Sequence, residues 1–269
     1  MINRRQFGSA LGAVSVALWT PTESRAAPRP FNWPDGKQGA VSLTYDDGLD
    51  SQLVNAAPQL EAYGFRGTFF LTQENMQARV DDWIALAARG HEIGDHTVTH
   101  PCELRPYTGA TFEARQLAPM ESFLDAHFHQ PRPRLFAYPC GATELGAHGD
   151  LNARRRIYLR LMRQDFLAAR IVDGGPNDPW LVKRFRYLLQ ANAPTYDQDD
   201  PKGAMDYVQT GIDRGYWAIL IFHDVVDQRR STGETSRQTH QAILEWIAGK
   251  AVWCAPMGQV FNYVGSQSA

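Results

Sequence analysis

Short apolar runs alternating with helix-patterned segments constrain the fold of this 269-residue chain more than any other feature. Residues 40–45, 68–72, 91–94, 135–138, 166–172, 185–191, 217–222 and 252–253 read as strands, being short, apolar and rich in β-branched or aromatic side chains. Between them, 51–63, 75–88, 111–129, 151–164, 205–214 and 237–247 carry apolar residues at helical spacing. In the first of these, Leu53, Ala56, Ala57 and Leu60 set the face, Pro58 interrupts it and Gly64 ends it. Such alternation implies a parallel sheet covered by helices. About seven such units, with no internal repeat, linker or low-complexity tract, point to one α/β domain, a barrel related to the β/α type. In that architecture the working residues gather at the C-terminal ends of the strands. Hydrophobic content of 43% and a formal net charge of −2 suit a domain with a true core and leave no footprint for nucleic acid.

The expected strand ends carry the chemistry. The run 40–45 stops in Asp46-Asp47-Gly48. Successive strand residues point to opposite faces, so two adjacent acids reach one cavity only where the chain turns, as a glycine allows. Close carboxylates raise each other's pKa unless a cation lies between them. The same tripeptide also suits a turn closing a hairpin. His96 and His100 follow the next-but-one strand, and on a helical turn their spacing puts both imidazoles on one face. Two histidines and one carboxylate leave coordination positions open, the pattern of a catalytic metal site. His223 ends the apolar strand 217–222, where partial desolvation tunes an imidazole toward neutral pH. Tyr138-Pro139-Cys140-Gly141 ends another strand. Asp46, Asp47, His96, His100, Tyr138 and His223 are thus expected on one rim. His91, His127, His129, His148 and His240 read as structural or surface residues. Three cysteines, Cys102, Cys140 and Cys254, permit at most one bridge.

The first residues read as a leader. Arg4-Arg5 precede an apolar small-residue stretch, 10–19, and a small-residue run ends near Ala26. This resembles a twin-arginine signal peptide over 1–26, leaving one catalytic domain over 27–269. The apolar stretch is too short for a stable membrane span. The expectation is therefore passage through the twin-arginine export machinery and a periplasmic or secreted protein.

These motifs together resemble the polysaccharide deacetylase family, carbohydrate esterases with homology to nodulation-type chitooligosaccharide deacetylases. Thr44-Tyr45-Asp46-Asp47-Gly48 matches the family's T-F-D-D-G with Tyr for Phe, and His96-Thr97-Val98-Thr99-His100 matches H-[ST]-x-x-H. Tyr138 to Gly141 matches a strand end finishing in Pro-x-Gly, and Leu220-Ile221-Phe222-His223 matches the last motif. The resemblance implies a distorted β/α barrel and one divalent metal ion, zinc by expectation, held by Asp47, His96 and His100. It makes Asp46 the general base and His223 the general acid in removal of acetyl groups from an N- or O-acetylated polysaccharide. It places an oxyanion-binding backbone N–H near Tyr138. Ala137 stands where many members carry an Arg that orients the base; Arg184 or Arg170 is the candidate replacement. Asp178 and Asp173 are candidates to support His223, and Tyr138 and Trp217 to stack on a sugar. Two alternatives remain at this level: a non-sugar amide hydrolase on the same barrel, and a weakly active carbohydrate-binding homologue.

Overall fold

The computed structural model describes residues 30–267; the expected leader lies outside them. The strands are β1 (Gly39–Asp47), β2 (Thr68–Leu71), β3 (Glu92–Asp95), β4 (Arg134–Ala137), β5 (Phe166–Arg170), β6 (Trp217–Phe222), β7 (Asp224–Val226), β8 (Glu234–Ser236) and β9 (Val252–Cys254). The helices are α1 (Ala57–Ala62), α2 (Gln73–Met76), α3 (Val80–Ala88), α4 (Gly109–Phe112), α5 (Ala118–His127), α6 (Leu151–Asp165), α7 (Pro201–Arg214), α8 (Arg237–Ala248) and α9 (Met257–Gln267). Seven strands form one parallel sheet in the order β5-β4-β3-β2-β1-β6, with β9 also on β1; β7 and β8 pair separately.

β1 is the hub. It pairs with β6 over Ala40 to Tyr45, with β2 over Thr44 to Asp47, and with β9 at its start. Because all these strands run parallel, the ends of β1, β3, β4 and β6 open on one rim. The sheet curls until its two edges are bridged by the segment before α7. Leu189 N–H donates to Ala169 O at 3.0 Å, and Asn192 N–H donates to Ile219 O at 3.0 Å. The result is a distorted β/α barrel.

Several expected elements differ in form. No strand occupies 185–191. Leu181, Phe185 and Leu188 N–H groups bond back to Asp178, Leu181 and Phe185 carbonyls, so the chain coils in turns, meeting β5 through Arg186 and Leu189 before its tail bridges the sheet edges. The helices expected over 51–63 and 111–129 each contain a π-helical turn, Gln52–Ala56 and Glu113–Leu117. In each case a proline stands in the first turn of the α-helix that follows, Pro58 in α1 and Pro119 in α5. Proline lacks an N–H and its ring crowds the carbonyl four residues back, so the preceding turn widens.

Alternation sorts the core. Val41, Leu43 and Tyr45 of β1, with Ala218, Leu220 and Phe222 of β6, pack outward under α1, α3, α7 and α8. Ala40, Phe70, Leu135, Ala137, Ala168, Trp217, Ile219 and Ile221 fill the barrel. One end is plugged by Phe31, Trp33, Trp253 and Tyr263. Tyr263 of α9 lies 6.3 Å from Phe31, ring to ring, and donates to Asn32 O at 2.8 Å. Among the described residues no helix is long and apolar enough to cross a membrane.

Candidate active site

Ser42 and Thr44 share the inner face of β1 with Asp46. Ser42 Oγ donates to Ala255 O at 2.9 Å and Thr44 Oγ1 to Leu220 O at 2.8 Å, so the column is polar yet satisfied. Asp46, 2% exposed, tops it. Strict alternation would send Asp47 outward. Instead Asp47 adopts φ 80° and Gly48 φ 74°, which swings the second carboxylate back over the rim. A non-glycine residue in that region is strained and must be held. Thr72 Oγ1 and Asn75 Nδ2 both donate to its carbonyl, at 2.9 and 3.0 Å.

The histidine motif is a loop and not the helical turn that its spacing suggested. Thr97 and His100 sit at φ 71° and 53°. Asp95 Oδ1 accepts from Thr97 N–H at 2.6 Å, and Thr97 Oγ1 accepts from His100 N–H at 3.0 Å. These local bonds fold the loop back, leaving the two rings 4.6 Å apart. Asp95 is fully buried, and burial together with the Glu121 carboxylate pushes its pKa well up. His96 Nδ1–H donates to Ala137 O at 2.8 Å, which fixes the tautomer and leaves Nε2 bare.

His96 Nε2 and His100 Nε2 each lie 3.6 Å from Asp47 Oδ1. That is too long for a hydrogen bond. It is the right separation for ligands shared by an ion: two donors each ~2.1 Å from a tetrahedral centre stand about 3.4 Å apart. Electrostatics agree. Burial pushes His96 down to about 3 and lowers His100, so both rings are neutral donors. Burial and the Asp46 charge push Asp47 up to about 6, as expected of a carboxylate lacking a cation. The residues present fit a divalent metal. His96 is 1% exposed, whereas the Asp47 and His100 side chains, at 23% and 30%, open toward solvent.

Asp46 belongs to a different set. Arg170 Nη2, on a side chain with no exposure, bonds Asp46 Oδ1. Burial pushes the Asp46 carboxyl up, but the Arg170 guanidinium, with His96 and His223, outweighs it and holds the pKa below the usual value. Arg170 is the Cα partner of Ala137 across the β4–β5 pairing. The guanidinium expected at 137 is therefore carried one strand over, at the same level. Phe70 lies beneath it, its ring centre 4.7 Å from Arg170 Cζ. Gly94 makes room for that ring, since a Cβ there would stand 2.5 Å from Phe70 Cδ1. The other candidate, Arg184, is on the surface over Phe185.

His223 follows β6 one residue beyond the Tyr45–Phe222 pair, level with Asp46. Its ring stands 5.4 Å from that of Tyr196. Gln52 Nε2 donates to both Asp46 O and His223 O, stitching the two strand ends together. Asp178 and Asp173 are engaged elsewhere: Asp178 accepts from Trp180 N–H and Tyr216 OH, and Asp173 from Gly174 N–H. Tyr138 and Trp217 are core residues, with Tyr138 OH donating to Tyr187 O at 3.1 Å. The Tyr138 N–H is committed to Arg170 O, and those of Gly141 and Ala142 to Tyr138 O and Pro139 O. Cys140 is disulfide-bonded to Cys102, leaving Cys254 free. Gln52, Asp95 and the Ala137 carbonyl carry no sequence signal for these roles; they emerge from the register alone.

Residues 34–152 match the polysaccharide deacetylase family model. A peptidoglycan-N-acetylglucosamine deacetylase of Bacillus cereus is 31% identical over 91 residues, 34% of this chain and 31% of that protein. A gellan lyase of a Bacillus species is 41% identical over 68 residues, 25% of this chain and 3% of that protein. The chain thus spans less than a third of the length of either relative. Among solved structures, a Mycobacterium smegmatis protein assigned as a polysaccharide deacetylase superposes with TM-score 0.61 at 18% identity, over 88% of this chain and 94% of that one. A family 4 acetyl xylan esterase from Clostridium thermocellum, in complex with a cobalt ion, superposes with TM-score 0.56 at 18% identity, over 84% and 92%. Its motifs and its barrel agree with the match to the polysaccharide deacetylase family model, which extends over residues 34–152.

Proposed function

We propose that the protein is a metal-dependent hydrolase that removes acetyl groups from an acetylated glycan. The observation that carries this reading is the division of one Asp-Asp pair: Asp47 faces the bare Nε2 of His96 and the Nε2 of His100, whereas Asp46 is held by Arg170. A divalent ion held by Asp47, His96 and His100, with zinc the expected metal, would polarise the acetyl carbonyl and acidify water beside it. Asp46 is ionised at neutral pH. With Oδ1 engaged by Arg170, Oδ2 is the oxygen that accepts a proton from the attacking water. His223, level with Asp46 on the neighbouring strand, delivers a proton to the leaving nitrogen or oxygen. The oxyanion needs a backbone donor. In the turn after β4 the N–H groups of 138, 141 and 142 are committed and Pro139 has none, which leaves that of Cys140.

The feature favouring a binding-only homologue is the missing third-motif Arg, and Arg170 against Asp46 removes that support. The same reading includes export by the Arg4-Arg5 leader. An exposed disulfide suits an oxidising compartment. Lys substitution of both arginines is expected to retain the chain in the cytoplasm, as fractionation would show.

The decisive experiment measures acetate release from chitin oligomers, acetylated xylan and peptidoglycan, with and without chelator. Release that chelator abolishes and zinc restores is expected; release indifferent to chelator would sink the metal reading. Asp46→Asn is expected to retain metal and lose acetate release, whereas Asp47→Ala, His96→Ala and His100→Ala lose the metal itself.

A further inference from the structure

His100 has different company at its two ring nitrogens. Nε2 lies 3.6 Å from Asp47 Oδ1, and Nδ1 lies 3.8 Å from Cys102 Sγ. Cys102 is bonded to Cys140, with Cα atoms 5.5 Å apart, and both residues are exposed. His100, Cys102 and Cys140 offer ligand atoms that all lie within 4.8 Å of one another, as do Asp47, His96 and His100. One histidine thus belongs to two donor sets.

We propose that the Cys102–Cys140 disulfide reserves His100 for the Asp47–His96 set, and that its reduction creates a second, thiolate-rich metal site of Cys102, Cys140 and His100 that competes for the same ring. The inference rests on reading Asp47, His96 and His100 as the metal set. Its chemistry follows from the imidazole. A neutral ring carries one N–H and has one bare nitrogen, so it ligates through Nε2 or through Nδ1. Sulfurs joined in a disulfide are not thiolates, so of these two donor sets the oxidised protein offers the nitrogen-oxygen one. Opening the bridge supplies two soft ligands beside Nδ1, a Cys2His set suited to zinc or cobalt. When Nδ1 takes the metal, the ring proton moves to Nε2, which then faces Asp47 as a donor and no longer as a ligand.

The redox step balances with a phosphine as reductant. Phosphorus supplies two electrons and takes the oxygen of one water, and the two hydrogens of that water end on the two sulfurs. Metal binding then displaces those two thiol protons.

The test uses cobalt(II) with the protein in five forms: oxidised, phosphine-reduced and desalted without oxygen, Cys102→Ser/Cys140→Ser, His96→Ala in both redox states, and reduced His100→Ala. Absorption from thiolate-to-cobalt charge transfer reports sulfur ligation independently of turnover. The oxidised protein is expected to bind cobalt without that absorption, and His96→Ala to abolish this binding. The reduced protein is expected to show the absorption with or without His96, and reduction of His96→Ala to raise cobalt affinity roughly tenfold or more. The double serine variant is expected to bind like the oxidised protein.

A reduced protein lacking the absorption would overturn the proposal, as would absorption that survives in reduced His100→Ala. Loss of native circular dichroism on reduction overturns it too, because the bridge would then hold the fold and not select a site. Absence of cobalt from the oxidised protein, by contrast, would refute the metal-hydrolase reading, while the sulfur absorption of the reduced form is scored separately.

Discussion

Arg170 is the residue on which the division of the two acids depends. It is buried, rests on Phe70 and holds Asp46 Oδ1. On the proposed reading, in which Asp47, His96 and His100 hold the metal, Arg170→Met is expected to keep it and to lose turnover by roughly 100-fold or more, the lower end of what a positioned base contributes. It leaves a buried carboxylate without its partner, so unfolding in urea is expected to show a loss of about 3–5 kcal/mol. Metal content and acetate release measured on one preparation check both halves; unchanged turnover would remove Arg170 from the site. At this scale the sequence shows the residue types and not their contacts. Asp46, Asp47, His96, His100 and His223 are visible because each stands at the end of an apolar run. Arg170 and Arg184 look alike in the sequence, and only the β4–β5 register sets Arg170 beside Ala137.

Strands and helices were legible where local pattern and tertiary packing agree. β6 runs over 217–222 as read, since its alternating residues fill both the barrel and the helix layer. The segment 185–191 carries strand-like side chains but finds no continuous partner edge, so it coils. The helical spacing of His96 and His100 misleads for a related reason: side-chain bonds from Asp95 and Thr97 offer the backbone an alternative to a helix. At the scale of β3, Gly94 is the test. A methyl group there meets the Phe70 ring, which is packed and cannot swing aside. Gly94→Ala is expected to destabilise by about 1–3 kcal/mol, as overpacking does, and to lower turnover by displacing the ring under Arg170. Thermal unfolding and acetate release measure the two effects; full activity in a destabilised variant would uncouple Phe70 from the site.

At the scale of the whole molecule, the site joins elements far apart in sequence, so binding there stabilises the entire barrel. Metal at ~100 times its dissociation constant is expected to add about 2.7 kcal/mol to unfolding, lost on chelation and in His96→Ala. Global stability also depends on pH through residues away from the rim. His91, at the foot of β3, accepts from Gly67 N–H at Nδ1 and lies 3.1 Å from Glu61 at Nε2. Burial pushes its pKa down to about 4 from 6.5. Between those values the unfolded chain binds a proton that the folded chain refuses, so this contribution to stability falls as pH falls. Raised acids such as Asp95 act in the opposite sense, so the effect is isolated by difference. From pH 6.5 to 4, His91→Gln is expected to gain roughly 3 kcal/mol relative to the parent. Parallel pH curves in urea titrations would contradict it.

The aromatic plug has a consequence for how such a domain is carried. Tyr263 touches both Phe31 and Asn32, so the first and last described segments meet at one end of the barrel. A polypeptide can therefore enter and leave this domain at nearly the same point. It can be spliced into a surface loop of a larger host, like a bead on a looped thread, without parting β1 from β9.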